Sequence, residues 1–126
     1  MDIDVRELTT YHISDDGKSV VLNLVDEAGR LTSLSFKIAE LGNLVMTLPS
    51  LIEAALRRQF RDTSLRYAYP IGSWSIEEAS DPTSLIVTLR TKDGFGVSFS
   101  MARGKAEELG YSMSKGGTSP SAIVAH

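Results

Sequence analysis

The chain contains no cysteine, which excludes disulfides, thiolate nucleophiles, zinc knuckles and iron–sulfur clusters together. Histidine is scarce too, with only His12 and His126, and neither has a second histidine at ligand spacing, so no metal site is expected. No serine lies in a G-x-S-x-G elbow. Basic residues number 13 against 16 acidic ones, a net charge of -3, which disfavours binding to nucleic acid because counterion release needs clustered positive charge. No uninterrupted apolar run reaches the roughly 18 residues that would cross a bilayer. The first residues, MDIDVREL, carry acid instead of the base and apolar stretch of a leader. These absences set the expectation of a cytoplasmic protein with no cofactor, no nucleic-acid partner and no membrane partner.

What is present is an average globular composition, 42% hydrophobic and 23% charged over 126 residues, and an internal repeat. Ser19-Val20-Val21-Leu22-Asn23-Leu24 matches Ser84-Leu85-Ile86-Val87-Thr88-Leu89 in residue type, and a glycine follows each block in the next turn, Gly29 and Gly94. Tyr11-His12-Ile13 pairs with Trp74-Ser75-Ile76, and Leu34-Ser35-Phe36 with Val97-Ser98-Phe99. The two-residue alternation of Val20, Leu22 and Leu24 and of Leu85, Val87 and Leu89 marks central strands with one buried face. Turns are expected at Asp26-Glu27-Ala28-Gly29 and, shorter, at Lys92-Asp93-Gly94. The third strands run through Thr32, Leu34, Phe36 and Ile38, and through Phe95, Val97 and Phe99.

Each unit closes with a helix. Leu41, Leu44, Val45, Leu48, Ile52, Ala55, Leu56 and Phe60 recur at three- and four-residue spacing. That helix either continues through Pro49 or is replaced there by a second one. A shorter stripe, Ala102, Ala106, Leu109 and Met113, follows Ser100, which reads as an N-cap. The fold class is therefore α+β: a duplicated β-β-β-α unit with a mainly antiparallel sheet of about six strands, or two sheets of three, and helices on one face. Residues 1–113 form one domain of two repeats, about 5–62 and 68–113, and the Gly- and Ser-rich segment 114–126 reads as a flexible tail.

Function is less legible. Arg57, Arg58 and Arg61 crowd the end of the first helix, with Arg66 just beyond, a set that suits a phosphate or carboxylate but also suits a helix C-terminus. Tyr67, Tyr69 and Trp74 add aromatic surface beside them, fit for a ligand cleft or for the junction of two repeats. His12, alone on the polar face of its strand, is the only named candidate for catalysis. The acidic pairs, including Asp15-Asp16 and Glu77-Glu78 with Asp81, read as solvated turns and surface. No catalytic constellation is visible, and Val21, Val25 and Ile86 lie on the second face of the central strands. The expectation is a non-catalytic interaction or assembly module that self-associates; the alternative is binding of a small anionic ligand or acidic partner through the arginines. Phe36 and Phe99 are expected in equivalent core positions, and Ser35 and Ser98 on a solvated face.

Overall fold

The computed structural model describes residues 2–116 and, for the backbone alone, residues 123–125. The elements are β1 (Val5–Ile13), β2 (Ser19–Asp26), β3 (Leu31–Lys37), α1 (Ile38–Phe60), β4 (Arg66–Ala68), β5 (Ile71–Glu78), β6 (Ser84–Thr91), β7 (Gly96–Ala102), α2 (Arg103–Ser114) and β8 (Ile123–Ala125). They fall into two compact units, residues 1–52 and 53–126. The first holds the antiparallel sheet β1-β2-β3, the second the antiparallel sheet β5-β6-β7 and a short parallel pair, β4 with β8. The fold is thus α+β with a repeated β-β-β-α unit, and its six long strands make two sheets of three. The predicted tail falls largely on residues 117–122 and 126, outside the described residues.

The repeat is kept in detail. β2, β3 and α1 begin at Ser19, Leu31 and Ile38; β6, β7 and α2 begin at Ser84, Gly96 and Arg103, each 65 residues later. The turns agree at the same interval. Ser14 N–H donates to the Ser19 carbonyl at 3.0 Å and Ala79 N–H to the Ser84 carbonyl at 3.3 Å. The Asp16 carboxylate accepts from Lys18 N–H at 3.0 Å, and Asp81 accepts from Thr83 N–H at 3.0 Å. In the second hairpins, Asp26 N–H donates to Arg30 and Gly29 N–H to Asp26, while Thr91 N–H donates to Phe95 and Gly94 N–H to Thr91. Gly29 and Gly94, at φ 81° and 97°, supply the left-handed residue that this turn needs. The two turns therefore have one geometry, and the second is not the shorter. In each unit the first strand also bulges opposite the same step of the central strand, Val25 to Asp26 and Arg90 to Thr91.

Pairing corrects the outer-strand alignment by two residues. Tyr11 and Leu34 flank Leu22, as Ile76 and Phe99 flank Val87, so Tyr11 corresponds to Ile76 and Leu34 to Phe99. Phe36 sits opposite Val20 and corresponds to Met101, opposite Leu85. Side chains in a strand repeat every two residues, so a slip of two leaves each on its own face and escapes notice in the sequence.

Each sheet has one apolar and one polar face. In the first, Leu8, Tyr11 and Ile13 of β1 face Leu24, Leu22 and Val20 of β2, and the bulge at Thr9 is what brings Leu8 opposite Leu24. On the other face Asn23 donates to the Thr10 hydroxyl at 2.9 Å and accepts from the Ser33 hydroxyl at 2.7 Å. The second sheet repeats this with Thr88 and Ser98, whose hydroxyls lie 2.7 Å apart. Ser98 is thus tied to a buried Thr88 and is not simply solvated.

The helices differ. α1 runs unbroken through Pro49, and none of its residues is buried. In the first unit it lies against no strand of its sheet, whereas α2 lies against β6 and β7. Ile38 opens α1 instead of closing β3, and Ser100 belongs to β7 opposite Ile86, so the residue before α2 is Ala102, which offers no side-chain cap. Gly110 does not stop α2. Arg103 anchors its start, its N–H donating to the Thr83 carbonyl at 3.0 Å and its Nε to the Pro82 carbonyl at 2.9 Å.

Candidate functional site

The arginine cluster forms around the end of α1, where backbone geometry decides much of the placement. Arg61 has φ 52°, its N–H reaches the Arg58 carbonyl at 3.4 Å, and Asp62 N–H reaches the Arg57 carbonyl at 3.0 Å. This is the Schellman closure of a helix, with arginine at the position glycine favours. Asp62 then accepts from the Ser64 hydroxyl at 2.7 Å and from Ser64 N–H at 2.9 Å, contacts that hold its carboxyl below the usual range. The turn presses Leu65 into a buried position.

Glu53 organises the cations that follow. Its Oε1 lies 3.0 Å from an Arg57 terminal nitrogen, and its Oε2 lies 3.6 Å from Arg66 Nε and accepts from Tyr67 N–H at 3.1 Å. Arg57 Nε also donates to the Leu65 carbonyl at 2.8 Å. Two of the four predicted arginines are therefore committed to an internal clamp that fixes β4 to the end of α1. Arg58 and Arg61 stay exposed and form no ion pair among the described residues. Glu53 was not among the residues singled out in the sequence, although its spacing of four before Arg57 is a recognisable helix-pair signal.

The aromatic residues assemble separately. Tyr67 and Tyr69 meet edge to face with ring centroids 5.1 Å apart, and Tyr69 continues to Phe95 at 5.2 Å. Loss of water and the neighbouring Tyr69 push the Tyr67 hydroxyl above its ordinary pKa. Tyr69 and Phe95 border a pocket of about 240 Å³ on the apolar face of the second sheet, with Leu89, Val97 and Phe99 beneath and Arg90 at its edge. Trp74 faces Leu89 across the strands and is 70% exposed. The seven predicted residues thus divide into a clamp, two cations with no ion pair among the described residues, and an aromatic group.

Little here points to chemistry. His12 pairs with Val21 in the sheet and is exposed. No group of three histidines or carboxylates capable of holding a metal occurs among the described residues. By length and composition α1 meets the measure of a membrane span, at a mean hydropathy of 1.2, although Asn43, Thr47, Pro49 and Ser50 interrupt it.

What stands out instead is uncovered apolar surface. Among the described residues only Leu24, Val25 and Leu65 are buried apolar side chains. Val25 is buried and Val21 and Ile86 are half-buried, as Leu24 is buried and Val20, Leu22, Leu85 and Val87 are half-buried on the first face, so neither face of the central strands is exposed at these positions. The outer strands carry large exposed apolar side chains on the first face: Leu8, Tyr11 and Ile13 in one sheet, Trp74, Ile76 and Phe99 in the other. No family model matches this sequence, and no curated protein and no solved structure matches the chain.

Proposed function

We propose that this protein is a non-catalytic assembly module that forms homo-oligomers by burying the apolar faces of its two sheets. The observation that carries the reading is the exposure of Tyr11 at 73%, Leu8 at 65%, Trp74 at 70% and Ile76 at 61%, all on the faces that the strand patterning marks as interior. A chain of this length is expected to bury about two thirds of its unfolded surface. Each large apolar side chain withdrawn from water contributes about 1.5–3 kcal/mol, and contiguous patches of this kind mark interaction surfaces. Duplication supports a second copy as the occupant, since each chain offers two faces built on one pattern. Light scattering across a concentration series is the test. The expected mass is at least twice the 13.7 kDa of one chain; a strict monomer at high concentration would refute the reading.

A second reading, capture of a small anion, rests on Arg58 and Arg61, whose guanidinium groups no carboxylate neutralises among the described residues. Titration with inorganic phosphate should then saturate in the wild type and fail in an Arg58→Ala/Arg61→Ala variant; equal responses would eliminate it.

A further inference from the structure

We propose that α1 pairs with α1 of a second copy, antiparallel, about a twofold axis near Pro49. The inference rests on the self-association reading and names the element that sets its geometry. Val45, Leu48, Leu51 and Ile52 lie within one third of the helix circumference, and all are exposed. A stripe of this width is what a helix presents to another helix.

Charge decides the direction. Glu40 lies in the first turn and Arg58 in the last, both exposed, and neither forms an ion pair among the described residues. The helix dipole accounts for their signs but not for their alignment. They are 18 residues apart, which is five turns at about 3.6 residues per turn, so they share one side of the helix about 27 Å apart. That side directly flanks Leu44 and Leu51. A twofold axis perpendicular to both helices reverses direction yet keeps each flank on its own side. With the axis level with residue 49, midway between them, Glu40 of each copy stands opposite Arg58 of the other. The same register sets Leu41 and Leu44 against Ala55 and Leu56, large side chains against small and large. Parallel pairing would bring acid level with acid and base level with base. Arg57 lies on a different side and is held by Glu53, so Arg58 is the cation left for a partner.

The experiment is charge reversal read by light scattering and sedimentation over a dilution series, with circular dichroism to confirm folding. Glu40→Arg and Arg58→Glu should each weaken self-association by about tenfold, since each places like charges opposite one another twice per dimer. The double variant Glu40→Arg/Arg58→Glu should recover most of the loss. If the wild type oligomerises and neither reversal weakens it, or the double variant fails to recover, helix pairing is refuted while self-association stands. A monomeric wild type removes both. Cosedimentation of the wild type with phosphatidylcholine vesicles, in place of self-association, would overturn the proposal in favour of a lipid surface.

Discussion

Replacing Glu53 by alanine should lower stability by about 2 kcal/mol, because one carboxylate serves three donors. Its bond from Tyr67 N–H, at 3.1 Å, is charge-assisted and worth roughly 1.5–3 kcal/mol. The Arg57 and Arg66 pairs are partly exposed, the Glu53 side chain keeping 25% of its surface in water, so each adds only about 0.2–0.5 kcal/mol. Alanine returns roughly 0.4 kcal/mol through its better helix propensity. With a urea dependence of about 1.5 kcal/mol per molar, the unfolding midpoint should fall by about 1.3 M at fixed protein concentration. Glu53→Gln keeps an acceptor for Tyr67 N–H and should lose about half as much. A double-mutant cycle with Arg57→Ala isolates the ion pair from the backbone bond. If Glu53→Ala shifts stability by less than about 0.5 kcal/mol, the clamp does not hold β4, and Arg57 and Arg66 return to the pool of cations open to a ligand.

Four further outcomes are open to measurement. Arg61→Gly should raise stability by about 0.5–1 kcal/mol, because glycine adopts φ 52° without the penalty of a β-carbon; Arg61→Val should lower it, and equal melting curves would count against the helix closure. Ser98→Ala should cost about 1–2 kcal/mol by leaving the buried Thr88 hydroxyl without its partner, whereas Ser35→Ala, opposite Val21, should stay within about 0.5 kcal/mol. Asp16, Asp26, Asp62 and Asp81 are all held below the ordinary carboxylate range, chiefly by the Ser14 hydroxyl, Arg30 N–H, the Ser64 hydroxyl and Thr83 N–H respectively. Groups shifted in that direction stabilise the fold fully above an unfolded value of about 3.9 and lose that contribution as pH falls through the folded value, so a pH series should show stability declining below about pH 4, and less so in an Asp16→Asn/Asp81→Asn variant. Phe99→Ala, at a side chain 53% exposed in the single chain, should weaken association more than it destabilises dilute protein; an equal loss at all concentrations would show that the ring is already in a core.

The duplication was legible because the central strands carry it in phase with their turns: Ser19 to Leu24, Ser84 to Leu89, Gly29 and Gly94 all agree with one spacing. The outer strands hid their true register because Phe36 and Phe99 obey the same alternation whether matched directly or two residues apart. Ile38 continued the alternation of Thr32, Leu34 and Phe36, so nothing local separated the end of β3 from the start of α1. Ser100 resembled a cap, but its hydroxyl belongs to the polar face of β7, and the backbone turns into α2 two residues later. At the candidate site the cations were visible and the acid that binds two of them was not, because attention to clustered arginine passes over a single glutamate four residues upstream. Asp16 and Asp81 read as solvated acids because the backbone amides they accept become their partners only once the turn closes.

The two copies differ where the shared frame ends. Up to the last residue of the third strand the two units share their strand starts, the outer bulge and the main turn hydrogen bonds, the bulge at Thr9 being confined to the first, and even the polar ladder keeps its place, Asn23 in one unit and Thr88 in the other. Beyond Ile38 and Arg103 they part: α1 has 23 residues and a long exposed apolar stripe, whereas α2 has 12 and is tied by Arg103 to its own sheet. The sheets need only the frame to form their hairpins. A helix that fails to cover the sheet before it leaves two apolar surfaces in the first unit, the inner face of β1-β2-β3 and the stripe of α1. A second copy carrying the same pair of surfaces would withdraw both from water symmetrically, which is the assembly proposed above. Under that proposal the specificity of assembly falls to α1, the helix whose length and sequence the duplication did not preserve.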